Sequence, residues 1–397
     1  MYFPSKAESL SRLLGHTRLD TLSIIGQSVQ VYFYVDARTG TRYEPVARRW
    51  RGDDGAPLTV GPLPGITAAD VETGVRSLWR YRAALPGDLR PVSLGEGVTP
   101  LVERPWGAEP ALFKLEWFSP TGSFKDRGSS VLLSLLADAG VEHVLEDSSG
   151  NGGSSISAYS AAAGIAATIL APESTSPAKI LQARAYGATV ELVPGTRDDT
   201  AAEAVRRSTS TTYASHNWHP FFLQGTKTLA YELWEDLGFR APDAVVTVAG
   251  AGSIVLGCDL GFGELVASGA IPRRPRLLVA QPANCGPIDA AFHGTRATFA
   301  PTIAEGTAIR HPVRLPEVLA AIRRSGGTTT SVPEADIAAA VRRLASLGLY
   351  AEPTSATAAA ALDVFRTQGA IRPGDTVVVV LTGSGLKAAD TMRELLG

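Results

Sequence analysis

The chain has 397 residues, 45% hydrophobic and 19% charged, with a formal net charge of −2. That profile fits a globular protein of about two or three domains with sizeable cores. It excludes a generally basic nucleic-acid binder and a polybasic membrane-surface protein. Two cysteines, Cys258 and Cys285, exclude a disulfide framework, and no Cys/His cluster has zinc spacing, so no metal site is expected.

No apolar h-region follows Met1-Tyr-Phe-Pro-Ser-Lys, and no apolar run is long enough to span a bilayer, so the expected location is the cytoplasm. Residues 1–98 read as an N-terminal extension packed on the main body. Val29–Val35 is a strand candidate rich in β-branched and aromatic residues, and its run Tyr32-Phe33-Tyr34 reads as core. Arg48–Pro57 and Gly61–Gly65 are loops. Val71–Ala84 reads as a short helix.

From about residue 110 strands and helices alternate. Val141–Glu146, Ala167–Ala171, Thr189–Val193 and Thr211–Ala214 read as strands; Ser154–Ala163, Pro177–Tyr186 and Asp198–Arg207 read as helices. A second series follows. Thr226–Leu237, Leu315–Arg324, Glu334–Leu347 and Ser355–Arg366 are helical. Ala244–Val248, Arg276–Ala280, Thr328–Val332 and Thr376–Leu381 are extended. The expected fold is α/β, with two mostly parallel twisted sheets flanked by helices and joined near residues 215–225.

Pro120-Thr-Gly-Ser-Phe-Lys-Asp-Arg127 precedes a helix whose apolar face is Val131, Leu132, Leu135, Leu136 and Ala139. Lys125 falls in its first turn, where unpaired N–H groups disfavour an ammonium and favour a neutral amine or imine. An exposed Lys-Asp-Arg cluster on a helix end remains the plain alternative.

Three loops follow strands, where ligands sit in open α/β sheets. Ser148-Ser-Gly-Asn-Gly-Gly153 lets the backbone approach an anion, and Asn151 adds a donor–acceptor for a planar heterocycle. Ala249-Gly-Ala-Gly-Ser253 is a phosphate cradle; its spacing is not that of a dinucleotide fingerprint. Leu381-Thr-Gly-Ser-Gly-Leu-Lys387 can set a neutral hydroxyl, from Thr382 or Ser384, against a ring nitrogen. Ordinary turns and caps remain open for each. Glu352 reads as a helix cap in preference to a pocket carboxylate. The run His216-Asn-Trp-His219 reads as a packed loop in preference to a metal site.

With Leu94-Gly-Glu-Gly-Val-Thr-Pro-Leu101, Lys114-Leu-Glu116 and Glu352-Pro-Thr-Ser-Ala356, these segments resemble the fold-type-II pyridoxal-phosphate enzymes, threonine synthases above all, over roughly residues 78–397. The resemblance implies pyridoxal 5'-phosphate in a cleft between a smaller domain, 99–222, and a larger one, 223–397. It makes Lys125 the Schiff-base lysine and catalytic acid–base, and Asn151 the partner of the cofactor's ring hydroxyl. Ala249, Gly250, Ala251, Gly252 and Ser253 become the phosphate cradle, and Thr382 faces the pyridine nitrogen. Ser148, Ser149 and Gly150 face the substrate carboxylate.

The implied activity is a lyase acting on an amino acid by elimination or replacement at Cβ or Cγ, as in O-phosphohomoserine to threonine. Alternatives are a serine/threonine dehydratase, a β-replacement synthase of the cysteine or cysteate type, and a non-catalytic cofactor-binding relative. A homodimer is implied; nucleic-acid and membrane partners are not. Two features depart from the family pattern. The cradle reads Ala-Gly-Ala-Gly-Ser where Gly-Asn-Ala-Gly-Asn is frequent, and Gly152-Gly153 stand where threonine synthases commonly carry hydroxyl residues.

Overall fold

The computed structural model describes residues 22–24, 27–29, 32–107 and 109–397. Two sheets carry the molecule. The smaller has four parallel strands in the order Thr189–Val193, Ala166–Pro172, His143–Glu146, Thr212–Tyr213. The larger has six, in the order Thr328–Val332, Arg276–Pro282, Ala244–Val248, Val377–Leu381, Glu109–Leu115, Leu101–Trp106. Its first five strands are parallel, and Leu101–Trp106 closes the edge antiparallel.

The central strands explain the burial. Every residue of Ala-Val-Val-Thr-Val and of Val-Val-Val-Val-Leu is buried, because a parallel sheet has helices on both faces. Val245, Leu277, Val279, Val378 and Val380 pack on one side, towards the helices Thr228–Asp236, Ser253–Ala267 and Leu315–Arg324. Val246, Val248, Leu278, Ala280, Val379 and Leu381 pack on the other, towards Glu334–Ser346 and Pro353–Thr367. Strict alternation along each strand thus builds two cores from one sheet.

Strands Leu101–Trp106 and Glu109–Leu115, which the sequence reading puts in a 99–222 unit with Lys125, belong to the larger sheet. Their hairpin escapes a periodicity reading because Pro105 faces Pro110 near its turn, and proline weakens any strand signal. The joining region is a helix, Pro220–Thr226, followed by Thr228–Asp236. It packs so closely on the helix Lys125–Asp138 that a Cβ at Gly225 would meet the Arg127 carbonyl oxygen at 1.9 Å.

The expected helix over Val71–Ala84 is instead a turn at Gly74 and a 3₁₀ segment, Leu78–Ala84, interrupted at Tyr81 (φ −101°, ψ 25°). Tertiary packing overrides the local pattern. Trp79 Nε1 donates to Ser130 Oγ at 2.9 Å, while Tyr81 turns the other way, donating to Glu235 Oε2 at 2.5 Å. In the 29–35 region, strands occur at Gln27–Val29 and Tyr34–Val35, and residues 30 and 31 lie outside the described ones. Tyr34 is enclosed and meets Phe221 edge-on; Tyr32 and Phe33 are half-buried.

Candidate active site

The helix Lys125–Asp138 begins at Lys125 itself. The turn before it is clamped from within: Asp126 accepts the Thr121 N–H at 2.7 Å, the Thr121 hydroxyl at 2.6 Å and the Ser155 hydroxyl at 2.6 Å. It is also tied to the last strand of the larger sheet. Phe124 N donates to Thr382 O at 3.0 Å, Ser384 N donates to Gly122 O at 3.1 Å, and Ser123 bridges Gly383. Gly122 takes φ +84° in this turn, the left-handed region that glycine enters without strain. Lys125 and Thr382, far apart in sequence, therefore sit on one backbone framework.

A cavity of about 260 Å³ opens beside them, lined by Lys125, the 148–152 loop, Gly250–Ser253, Glu352 and Thr382. Both loops leave the carboxyl ends of parallel strands, His143–Glu146 and Ala244–Val248, where open α/β sheets bind ligands. The backbone N–H groups of Ser149–Gly152 and of Gly250–Ser253 take no partner among the described residues. Each set lies at the start of a helix, Asn151–Ala163 or Ser253–Ala267. Open donors with a helix dipole behind them make an anion site. Gly252, at φ +90°, makes the left-handed entry to the second helix.

The expected residues come together with one exception. Lys125, Ser148, Ser149, Gly150, Asn151, Gly250, Ala251, Gly252, Ser253 and Thr382 all line this cavity. Ala249 does not: it is buried, its N–H is spent on Ala280 O at 3.1 Å, and its carbonyl accepts from Gln281 Nε2 at 2.8 Å. It anchors the loop whose next four residues point their donors outward.

The Thr382 hydroxyl lies 3.0 Å from Ser355 Oγ, which also accepts the Gly383 N–H at 2.8 Å. The partner that orients Thr382 is thus itself held in place.

Burial sets the titration of the site. It pushes the Lys125 amine down to about 8, assisted by Arg197 and opposed by Glu146 and Glu352. The Lys125 ammonium stands 4.7 Å from the centre of the Phe124 ring, an apolar neighbour that adds to the desolvation. Burial raises Glu352 to about 7, opposed by Lys387 and by the hydrogen bond from Asn151.

Glu352 is not the helix cap the sequence suggests. It occupies the N-cap position of Pro353–Thr367, but its side chain makes no capping bond. Instead its Oε1 accepts from Asn151 Nδ2 at 3.1 Å. Gly383 makes room for it, since a Cβ there would stand 2.4 Å from that oxygen. Glu146, His216 and Arg197 also escaped the sequence reading as site residues. None carries a motif: Glu146 ends the strand that leads into the 148–152 loop, and only the fold brings His216 and Arg197 to it. His216 lines the cavity, whereas His219 is buried away from it, with Nε2 on Ala47 O at 2.9 Å.

A family model described as pyridoxal-phosphate dependent enzyme matches residues 92–383. The chain is 35% identical over 329 residues to a threonine synthase of Methanocaldococcus jannaschii, spanning 79% of this chain and 81% of that protein. It is 32% identical over 338 residues to a threonine synthase of Mycobacterium leprae, spanning 83% and 90%. Among solved structures, O-ureido-L-serine synthase superposes with a TM-score of 0.64 at 20% identity, over 77% of this chain and 96% of that one. Maize serine racemase superposes with a TM-score of 0.64 at 21% identity, over 75% and 91%. Those two likenesses speak for the fold alone. With the family model spanning the loops that line the cavity, the chain belongs to the pyridoxal-phosphate-dependent enzymes, with pyridoxal 5'-phosphate as its cofactor.

Proposed function

We propose that the protein is a lyase that removes a leaving group from Cγ or Cβ of a small amino acid and adds water or another nucleophile. The threonine-synthase-type conversion of O-phosphohomoserine to threonine is the first reading. One observation carries it: a half-buried lysine shares a cavity with two helix N-termini whose N–H donors are open. One set suits the cofactor's phosphate and the other a substrate carboxylate. The relatives named threonine synthase support the choice of reaction.

The residues fit the cofactor. Gly250–Ser253 would hold its phosphate, Asn151 its ring hydroxyl, Thr382 its pyridine nitrogen, and Lys125 its carbonyl carbon. When bound, the cofactor supplies the electron sink for carbanion chemistry. The neutral Thr382 hydroxyl, steadied by Ser355, does not force a proton onto the ring nitrogen as a carboxylate would. Lys125, with a pKa brought to about 8, can hold and release a proton at the substrate carbons near neutral pH. Ser148–Gly150 hold the substrate carboxylate. Arg197 and Lys179, also on the cavity wall, give positive charge for an acidic leaving group such as phosphate.

Dehydration or β-replacement is the second reading. Gly152 favours it, because that cavity position offers no hydroxyl to a phosphorylated side chain. Stopped-flow spectra and product analysis with O-phosphohomoserine, O-phosphoserine, serine and threonine test the choice. Turnover of O-phosphohomoserine to threonine is expected. No spectral response to O-phosphohomoserine, with turnover of serine or O-phosphoserine, moves the assignment to the second reading.

A further inference from the structure

Glu146 and His216 form a buried pair that holds neither cofactor nor substrate in the lyase reading. Glu146 ends the strand His143–Glu146 and is fully enclosed. Its Oε1 lies 2.5 Å from His216 Nδ1, and its Oε2 accepts the His216 backbone N–H at 3.2 Å. The Phe222 ring meets the imidazole edge-on at 5.9 Å. Nε2 has no hydrogen-bond partner among the described residues, and the residue lines the cavity together with Lys125.

Gly152 explains how the ring reaches that wall. A Cβ at 152 would stand 2.8 Å from His216 Nδ1 and 2.9 Å from Ser148 Oγ. The side chain absent at 152 is replaced in space by an imidazole from another loop. A purely structural pair at this depth would be expected to satisfy both ring nitrogens; here one is left to the cavity.

We propose that His216, fixed by Glu146, is a second catalytic acid–base of this site, serving the leaving and entering groups while Lys125 serves the substrate carbons. The proposal rests on the lyase reading. The charged and titratable groups around the ring are Glu146, Asp147, Lys125 and Arg197, and Asp147 is itself held by the Tyr213 hydroxyl at 2.7 Å. Burial raises Glu146 to about 8. Burial, Lys125 and Arg197 hold His216 well below its ordinary value, against Asp147. The proposed resting state keeps one proton in the 2.5 Å contact between Glu146 Oε1 and Nδ1 and a second on Nε2, which faces the cavity.

In elimination the Nε2 proton passes to the leaving-group oxygen as its bond to carbon breaks, the electron pair departing with the oxygen. The bridging proton stays on Nδ1, now opposite a carboxylate. In addition, the incoming O–H gives its proton to Nε2 as the oxygen lone pair forms the new bond to carbon. One proton leaves and one returns, so the pair ends each cycle as it began.

The test uses full-length, cofactor-loaded protein with ¹⁵N-labelled histidine. Ring-nitrogen shifts, assigned by loss of the signal in His216→Gln, should show Nε2 protonated and Nδ1 in a strong hydrogen bond at pH 7, a pattern lost in Glu146→Gln. The kcat on the substrate that the amino-acid panel identifies should fall about 10²-fold or more in His216→Gln, the usual scale of one acid–base group. The cofactor's visible absorption should stay unchanged. A kcat within about threefold of wild type, far short of the loss that one acid–base group brings, overturns the proposal. Ring-nitrogen shifts that are the same in wild type and Glu146→Gln overturn it whatever the activity. A wild-type protein that binds cofactor but converts no amino acid sinks the lyase reading itself, and the proposal with it, and is told apart from the preceding results by the wild-type assay alone. Should Glu146→Gln not fold, Gly152→Ala displaces the ring from the same place and is expected to give the same loss of kcat and of the Nδ1 signature.

Discussion

Arg127 and Glu116 meet fork to fork, Nε on Oε2 and Nη2 on Oε1, each at 2.7 Å, with both side chains shut off from solvent. The third guanidinium nitrogen, Nη1, reaches Glu232 Oε2 at 2.9 Å. Glu232 in turn bonds Lys114 Nζ at 2.6 Å and the Thr99 N–H at 2.8 Å. Two positive and two negative groups thus close a buried network between the larger sheet and the helix that starts at Lys125.

Breaking one partner strands the others. Arg127→Met should cost about 3–5 kcal/mol, the range for leaving a buried carboxylate unpaired. A downward shift of the urea midpoint, or loss of soluble protein, checks it. A variant as stable as wild type would mean the carboxylates find other partners.

The amine of Lys125 should become reactive at an unusually low pH. Its ordinary pKa is 10.5, and burial brings it to about 8. The neutral amine, which attacks a carbonyl, therefore dominates above about pH 8. The rate at which cofactor-free protein captures pyridoxal 5'-phosphate should rise with pH and level off with a midpoint near 8. A midpoint near 10 would place the amine in water.

Glu352 gives a pH signature of opposite sign. Its folded pKa, about 7, lies above its ordinary 4.5. Between those values the folded state binds more protons than the unfolded one, so this group's contribution to stability falls as pH rises through the window. Glu352→Gln removes that loss and keeps an oxygen for Asn151. The variant's unfolding midpoint relative to wild type should therefore rise from pH 5 to pH 8. An unchanged difference would show that the carboxyl is solvated.

Gly153 has no room for a side chain: a Cβ there would lie 1.8 Å from Ser148 O. Gly153→Ala must move the 148–152 loop, so cofactor affinity should fall at least tenfold, on the order of 1.4 kcal/mol. Titration of the cofactor-free variant against wild type measures it. Unchanged affinity would mean that the loop shifts without disturbing the site.

The parts legible in sequence were those with a local signature. Ala244–Val248 and Thr328–Val332 end where their β-branched runs end. The small-residue loops after strands marked the two helix N-termini that line the cavity. What stayed hidden depends on contacts distant in sequence. The Leu101–Leu115 hairpin is strand only because it pairs with Val377–Leu381. Glu352 looks like a cap until Asn151, from the other sheet, takes its carboxylate. His216 looks like loop packing until Glu146 and Gly152 set its ring on the cavity wall. In each case a neighbour more than 60 residues away decides the role.

The central claim is that the amine of Lys125 holds the cofactor. The most direct measurement is the visible absorption spectrum of purified protein loaded with pyridoxal 5'-phosphate, for wild type and Lys125→Ala side by side. Wild type should be yellow, with a band that shifts when substrate is added and is lost on borohydride treatment, which reduces the C=N bond and leaves the pyridoxyl group on the peptide holding residue 125. Lys125→Ala should lack the protein-linked band. A colourless wild type, or a Lys125→Ala protein with the same spectrum, would contradict the account.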